Sequence, residues 1–368
     1  MNQATEGPIS AQPINYIHTL HEALKYRHDE VSLSYLIGVS GEAFRFFYNR
    51  FDPEVGMNTF LHNPLRATCK ALGLGHEVLY DETYQAASER LRENMRSGKP
   101  TLVPFSDSCP FLISDNRPET FICQNGYRYT LDAKDLRRRW QPGGGFLELG
   151  PYGYYQFVIG DREREPKARE AALGTLRYAT KLMQNRRRIH DCAMGLAAYD
   201  ELIVHLNSMI ARKNKLTEQE VYKIAKWNGQ PLLQCVEARK AAVEYLESVR
   251  KHFEDEELEH LDKAIVAHQK VVTLLRGLRM VLPTTSLLQP DLDSSKDSGP
   301  TSRPGLVFSQ IRDRLIADKE ERRTQEVMRK FKPICRSAIK LLKKIYDAEK
   351  AGVGELEEVG RVSEKVKM

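Results

Sequence analysis

A chain of 368 residues is long for one hydrophobic core, and its 41% apolar share is that of a globular protein built from two or three units. The net charge of +6 is modest over this length, and no run of eighteen apolar residues occurs, so neither a dedicated nucleic-acid module nor a membrane span is expected. The opening MNQATEGPISAQPINY has no basic stretch followed by an apolar core, and the six cysteines are scattered without a CxxC pair. A cytoplasmic protein with reduced thiols follows as the expectation, with no disulfide frame, zinc site or cofactor.

In chain order, residues 1–13 are polar with two prolines and read as a loose arm. Ile14, Ile17, Leu20 and Leu24 have helical spacing. Ser34 to Arg50 reads as a second helical region interrupted at Gly38-Val39-Ser40-Gly41. Asn63 or Pro64 opens a third helix that Gly73 and Gly75 stop. Glu77 to Tyr80 is a short strand, and Thr83 to Arg96 is a charged amphipathic helix. Short β-rich runs follow at Thr101–Phe105, Phe111–Ser114, Thr120–Cys123, Tyr127–Thr130 and Tyr155–Ile159. Asn125-Gly126 signals a hairpin turn, and Asp132 caps a short helix to Trp140. Helices followed by antiparallel strands predict an α+β domain over residues 14–164.

From Glu165 the periodicity is helical and suits a bundle over residues 165–283. Thr217 with Glu220 has capping-box spacing, and Leu232–Phe253 and Leu258–Leu282 are two long amphipathic helices. Residues 284–304 are rich in Ser, Pro, Asp and Thr and read as a linker. Residues 305–368 form a helical tail, broken at Pro333 and frayed from Gly352. Val327, Phe331, Ile334, Ala338, Leu341 and Ile345 lie on its apolar stripe, with lysines opposite. Such a helix docks on the bundle, on a partner or on a second copy, and a basic amphipathic helix also suits an anionic membrane.

The stretch Tyr35 to Arg50 organises the chain. Two glycines three residues apart mark a close backbone approach, and Arg45 inside the run Phe44, Phe46, Phe47, Tyr48 needs solvent or a buried acceptor, with Asp115 one candidate. The segment HEALKY…VSLSYLIGVSGEAFRFFYNRF resembles the N-terminal domain of the butirosin-biosynthesis protein H family, carried by Gly38, Val39, Ser40, Gly41, Ala43, Phe44 and Arg45. SGKPTLV (Ser97 to Val103) and YYQFVIGDRE (Tyr154 to Glu163) are similar to that family's first and closing strands. GLAAYDELIVHL and EARKAAVEYL are similar to the domain that follows it. The resemblance implies a papain-like cysteine-peptidase fold, here degenerate, with a short antiparallel sheet and a following helical bundle. Some members transfer an acyl group from a carrier protein to an amine.

Papain-like chemistry requires a Cys thiolate at the start of the first helix and a His on the sheet. This chain departs from that pattern. No cysteine precedes Cys69, and no histidine lies between Glu77 and Ile189. Cys109 and Ser40 remain as displaced nucleophile candidates. Ser40, Arg45, Asp115, Tyr152 and Tyr199 are the ligand-binding candidates. His18 with His21, and Glu257 with His260, have i, i+3 spacing but no further ligand frame, so no metal is assigned. The expectation is a non-catalytic protein that binds a small molecule, peptide or carrier protein in the cleft between its two domains. An acyl- or amide-transferring enzyme with a rearranged site, and an interaction protein acting through its tail, are the alternatives.

Overall fold

The computed structural model describes residues 15–52, 63–104, 110–117, 120–124, 128–144, 152–189, 191–211, 218–283 and 320–365. The fold mixes helix and strand, with a small antiparallel sheet and a helical C-terminal region. Helix α1 (Asn15–Tyr26) buries Ile17, Leu20, Ala23 and Leu24 on one face. Helix α2 (Leu33–Val39) starts at Ser32, whose hydroxyl accepts the Tyr35 N–H.

The expected second helix does not continue to Arg50. Past Gly41, at φ 82°, one turn of 3-10 helix (Glu42–Phe44) gives way to strand β1 (Phe47–Tyr48). Phe44, Phe46, Phe47 and Tyr48 are all buried. One helix face cannot bury three consecutive aromatics, whereas an extended segment enclosed on both sides can.

Helix α3 (Pro64–Leu72) is capped by Asn63 and ended by Gly73 at φ 69°. Strand β2 (Leu74–Asp81) is twice the length expected, and Thr83 caps α4 (Tyr84–Arg96). The sheet continues through β3 (Thr101–Pro104), β4 (Pro110–Arg117), β5 (Thr120–Gln124) and β6 (Arg128–Asp132). Asp132 then caps α5 (Ala133–Arg139) by accepting the Asp135 N–H at 2.6 Å. Strand β7 (Gly143–Gly144) pairs with β8 (Tyr152–Arg162). The spatial order is β2-β8-β3-β4-β5-β6, antiparallel throughout. The β5–β6 pair has the register a hairpin requires, while Asn125-Gly126 itself lies outside the described residues.

Helix α6 (Ala168–Met183) leads to β9 (Ala193–Met194), which pairs antiparallel with β1. Next come α7 (Leu196–Ala211), α8 (Glu218–Asn228), α9 (Gln230–Val249) and α10 (Asp255–Val281). The final helix α11 spans Glu320–Lys365 without a break. Pro333 is exposed, so the hydrogen bond it removes is lost on the solvent side, while Phe331 and Cys335 on either side are buried. The expected frayed end is packed: Val353, Leu356, Val359 and Val362 are buried at helical spacing. Each such side chain contributes about 1.5–3 kcal/mol. Gly352 is no terminator; a Cβ there would lie 3.2 Å from the Ala267 Cβ, so it is where α11 meets α10.

The largest core joins α1, α2, α3 and the sheet to α6, α9, α10 and the end of α11, across the division expected near residue 164. Gly38 marks the closest approach, since a Cβ on it would lie 2.0 Å from the Tyr245 Cγ. Replacing Gly38 with Ala forces α2 and α9 apart. The expected loss is about 1–3 kcal/mol, read as a lower urea midpoint.

Candidate functional site

Two buried ion pairs lie beside β1. In the first, Arg45 donates from Nε to Glu42 Oε2 at 2.7 Å, both residues being almost fully buried. The guanidinium lies 4.9 Å from the Phe47 ring centroid. Burial raises the Glu42 carboxyl above its ordinary range, and Arg45 opposes that rise. The acceptor Arg45 needs is therefore its own i−3 neighbour.

The second pair is larger and joins distant helices. Arg239 on α9 has no exposed surface, and its Nε donates to Glu349 Oε1 on α11 at 2.5 Å. Its remaining donors reach the Ala43 carbonyl at 2.7 Å, the Arg45 carbonyl at 3.4 Å and the Met183 Sδ at 3.4 Å. The Tyr199 hydroxyl donates to the same Glu349 oxygen at 2.9 Å, and its ring stacks on Phe46 at 3.7 Å. Burial, reinforced by the Glu349 charge, pushes the Tyr199 phenol well above its usual range. Burial pulls the Arg239 pKa down, but Glu349 and Tyr199 more than offset it, so the guanidinium stays charged.

His268 on α10 completes this group. Its Nδ1 is 3.7 Å from Glu349 Oε2, too far for a hydrogen bond, and neither ring nitrogen nor that oxygen has a partner. Burial depresses the ring to about 4, against the pull of Glu349, so it is neutral at ordinary pH.

Of the residues singled out from sequence, those whose side chains are described serve separate partners. The Ser40 hydroxyl, fully buried, donates to the Ile37 carbonyl at 2.9 Å and accepts the Glu42 N–H at 3.3 Å. It closes a turn and faces no base. Tyr199 and Arg45 flank β1 but belong to different ion pairs. Asp115 and Tyr152 are in β4 and β8, remote in sequence from β1; their side chains, like Cys109, lie outside what is described.

Burial pushes the described thiols up: Cys69 and Cys335 to about 12, Cys192 and Cys235 to about 11. Among the described residues none is hydrogen-bonded to a histidine, the pairing that would activate a thiol. His190 lies outside the described residues; Asp191 and Cys192 lie in a tight turn before β9, and Asp191 adopts φ 60°.

Glu257 and His260 diverge. Glu257 is buried against Arg169 and Ser363, while His260 meets Glu355 at 2.7 Å. Among the described residues no group of three or more His, Cys, Asp or Glu is placed to hold a metal.

The junction between the N-terminal helices and the bundle, where a cleft was expected, is filled by Phe44, Tyr245 and Arg239. Open space lies elsewhere, in a 780 Å³ cleft along α3 lined by Arg66, Lys70, His76, Glu163 and Arg164. The Arg164 guanidinium reaches the Lys70 carbonyl at 3.1 Å, and His76 stacks on Phe157. The exposed Lys70 ammonium has no partner among the described residues. Neither a protein-family model nor a curated protein matches this chain.

Sequence reasoning missed Arg239, His268 and Glu349. The available signal was a charge in the apolar register of each long helix: Arg239 four residues after Cys235, and Glu349 seven after Leu342.

Glu349→Ala leaves a buried guanidinium unpaired, with an expected loss of about 3–5 kcal/mol in urea unfolding. The double variant Arg239→Met/Glu349→Leu removes both charges and is expected to recover most of it.

A second outcome concerns pH. His268 titrates near 6.5 when unfolded and near 4 when folded. The unfolded state therefore binds more protons in between, and stability is full above about 6.5 and falls as pH is lowered toward 4. Unfolding midpoints across that window should show a shallower slope for His268→Leu than for the parent.

Proposed function

We propose that this protein is a non-catalytic relative of the papain-like acyltransferases and peptidases it resembles. In this reading it binds a small molecule, peptide or carrier protein in a biosynthetic or regulatory role. One observation carries it: the described thiols are buried, held protonated and without a hydrogen bond to a histidine among the described residues, while the Ser40 hydroxyl closes a turn. What remains open is a binding surface rather than a reacting centre. The cleft along α3 is the best-supported place for the ligand, because Arg66, Lys70 and Arg164 give it a cationic rim. That rim suits a carboxylate or phosphate, the groups that small acids, acidic peptides and acyl-carrying arms present.

Acetyl-coenzyme A, a thioester bearing phosphates, is a direct probe. It is expected to raise the melting temperature without release of free thiol, and Lys70→Glu is expected to abolish the rise. Steady thiol release that stops in Cys109→Ala or Ser40→Ala would establish the acyl-transferring alternative instead. No shift with this probe or with a glutamate-rich peptide would remove the cleft as the site.

A further inference from the structure

Charge on α11 is segregated along its length. Toward its C-terminal end the acids are matched within the chain: Glu355 by His260 at 2.7 Å, Glu364 by Arg177 at 2.8 Å, Glu357 by Gln184 at 3.1 Å, and Glu358 by Arg361. Toward the middle, Lys332, Arg336, Lys340, Lys343, Lys344 and Lys350 have no ion pair among the described residues, and all but the half-buried Lys332 are exposed. They form a stripe about 27 Å long at 1.5 Å per residue, interrupted by one exposed acid, Asp347. Like charges four apart, as in 336, 340 and 344, repel on a helix and ask for an external counterion.

The neighbours do not supply one. α10 carries no acid from Ala264 to Val281, where Lys270 and Arg276 are exposed, and α7 carries none from Leu202 to Ala211. This end of the bundle is cationic on two adjacent helices, α10 and α11, and free of acids on the third.

We propose that this face docks the protein on an anionic lipid surface. The apolar stripe of α11 is packed on α6, α7 and α10, so the helix cannot insert as a free amphipathic segment, and attachment is electrostatic. Lysine predominates over arginine. Lysines are depleted from protein interfaces, whose anchors are Trp, Tyr and Arg, and the aromatic beside the stripe, Tyr346, is packed partly against the core. The stripe itself lacks bases' stacking partners, and α11 lies flush against α10, making a face too broad for a nucleic-acid groove. Polybasic adsorption to acidic headgroups needs only point charges, each contributing roughly fivefold in partitioning. Val204 and Met280, two of the exposed large apolar side chains, lie in the same acid-free stretches and suit the headgroup layer.

The test is sedimentation of the full chain with phosphatidylcholine vesicles, with and without phosphatidylserine. Binding is expected only to the mixed vesicles and lost near 1 M salt, where the Debye length is about 3 Å. Lys340→Glu/Lys344→Glu is expected to lower partitioning roughly 25-fold or more, from two charges at about fivefold each, with an unchanged circular-dichroism melt. Lys99→Glu, on the α4–β3 loop, is expected to leave it nearly unchanged. Absence of binding, equal binding to neutral vesicles, or an equal loss in Lys99→Glu would each overturn the proposal. Tighter retention by duplex DNA or polyglutamate than by mixed vesicles would overturn it in favour of that partner.

Discussion

The structure depends on one buried charge finding one partner. Arg239 is completely enclosed, and an isolated guanidinium in such a place costs several kcal/mol. Its donors are distributed over the Glu349 carboxylate, the carbonyls of the turn before β1, and the Met183 sulfur. Three regions far apart in sequence are thereby held in one register: the Gly-Val-Ser-Gly segment, helix α9 and the C-terminal helix. An apolar core of similar volume could be as stable, but it would tolerate sliding of α11 by a turn. Charge and hydrogen-bond geometry do not.

That arrangement ties the N-terminal helices to the bundle and the C-terminal helix in one packed centre. The Phe44–Tyr48 run, read as the end of a helical region, is instead the seam between the two halves, with Phe46 stacked on Tyr199 and Gly38 against Tyr245. Among the described residues no cysteine thiol is hydrogen-bonded to a histidine, the pairing that papain-like chemistry requires.

Much of the fold was legible because local rules were obeyed locally. Asn63-Pro64, Thr83 and Asp132 cap the helices they were expected to start, and the strands of the sheet fall where the period changes. The failures have tertiary causes. The tail from Gly352 looked frayed and is packed, with Gly352 itself a contact point, because nothing local announces that α10 will lie against it. Pro333 looked like a break and sits on the solvent side of a helix held by packing. The β1–β9 pair joins residues too distant for any window to see. The candidate site was less legible than the fold: Ser40, Arg45 and Tyr199, marked as ligand-binding candidates, each hydrogen-bond within the chain, to partners no local pattern announces. Arg239 and Glu349 hid inside two ordinary amphipathic patterns.

The Arg239–Glu349 pair has a consequence for biosynthesis. The two residues are separated by 110 positions. At synthesis rates of roughly 5–20 residues per second, the arginine waits on the order of 5–20 s for its carboxylate to be made. During that interval the turn before β1, α9 and α10 have no complete polar centre to close around. The nascent chain is therefore a substrate for chaperones and proteases until almost its last helix has emerged from the ribosome.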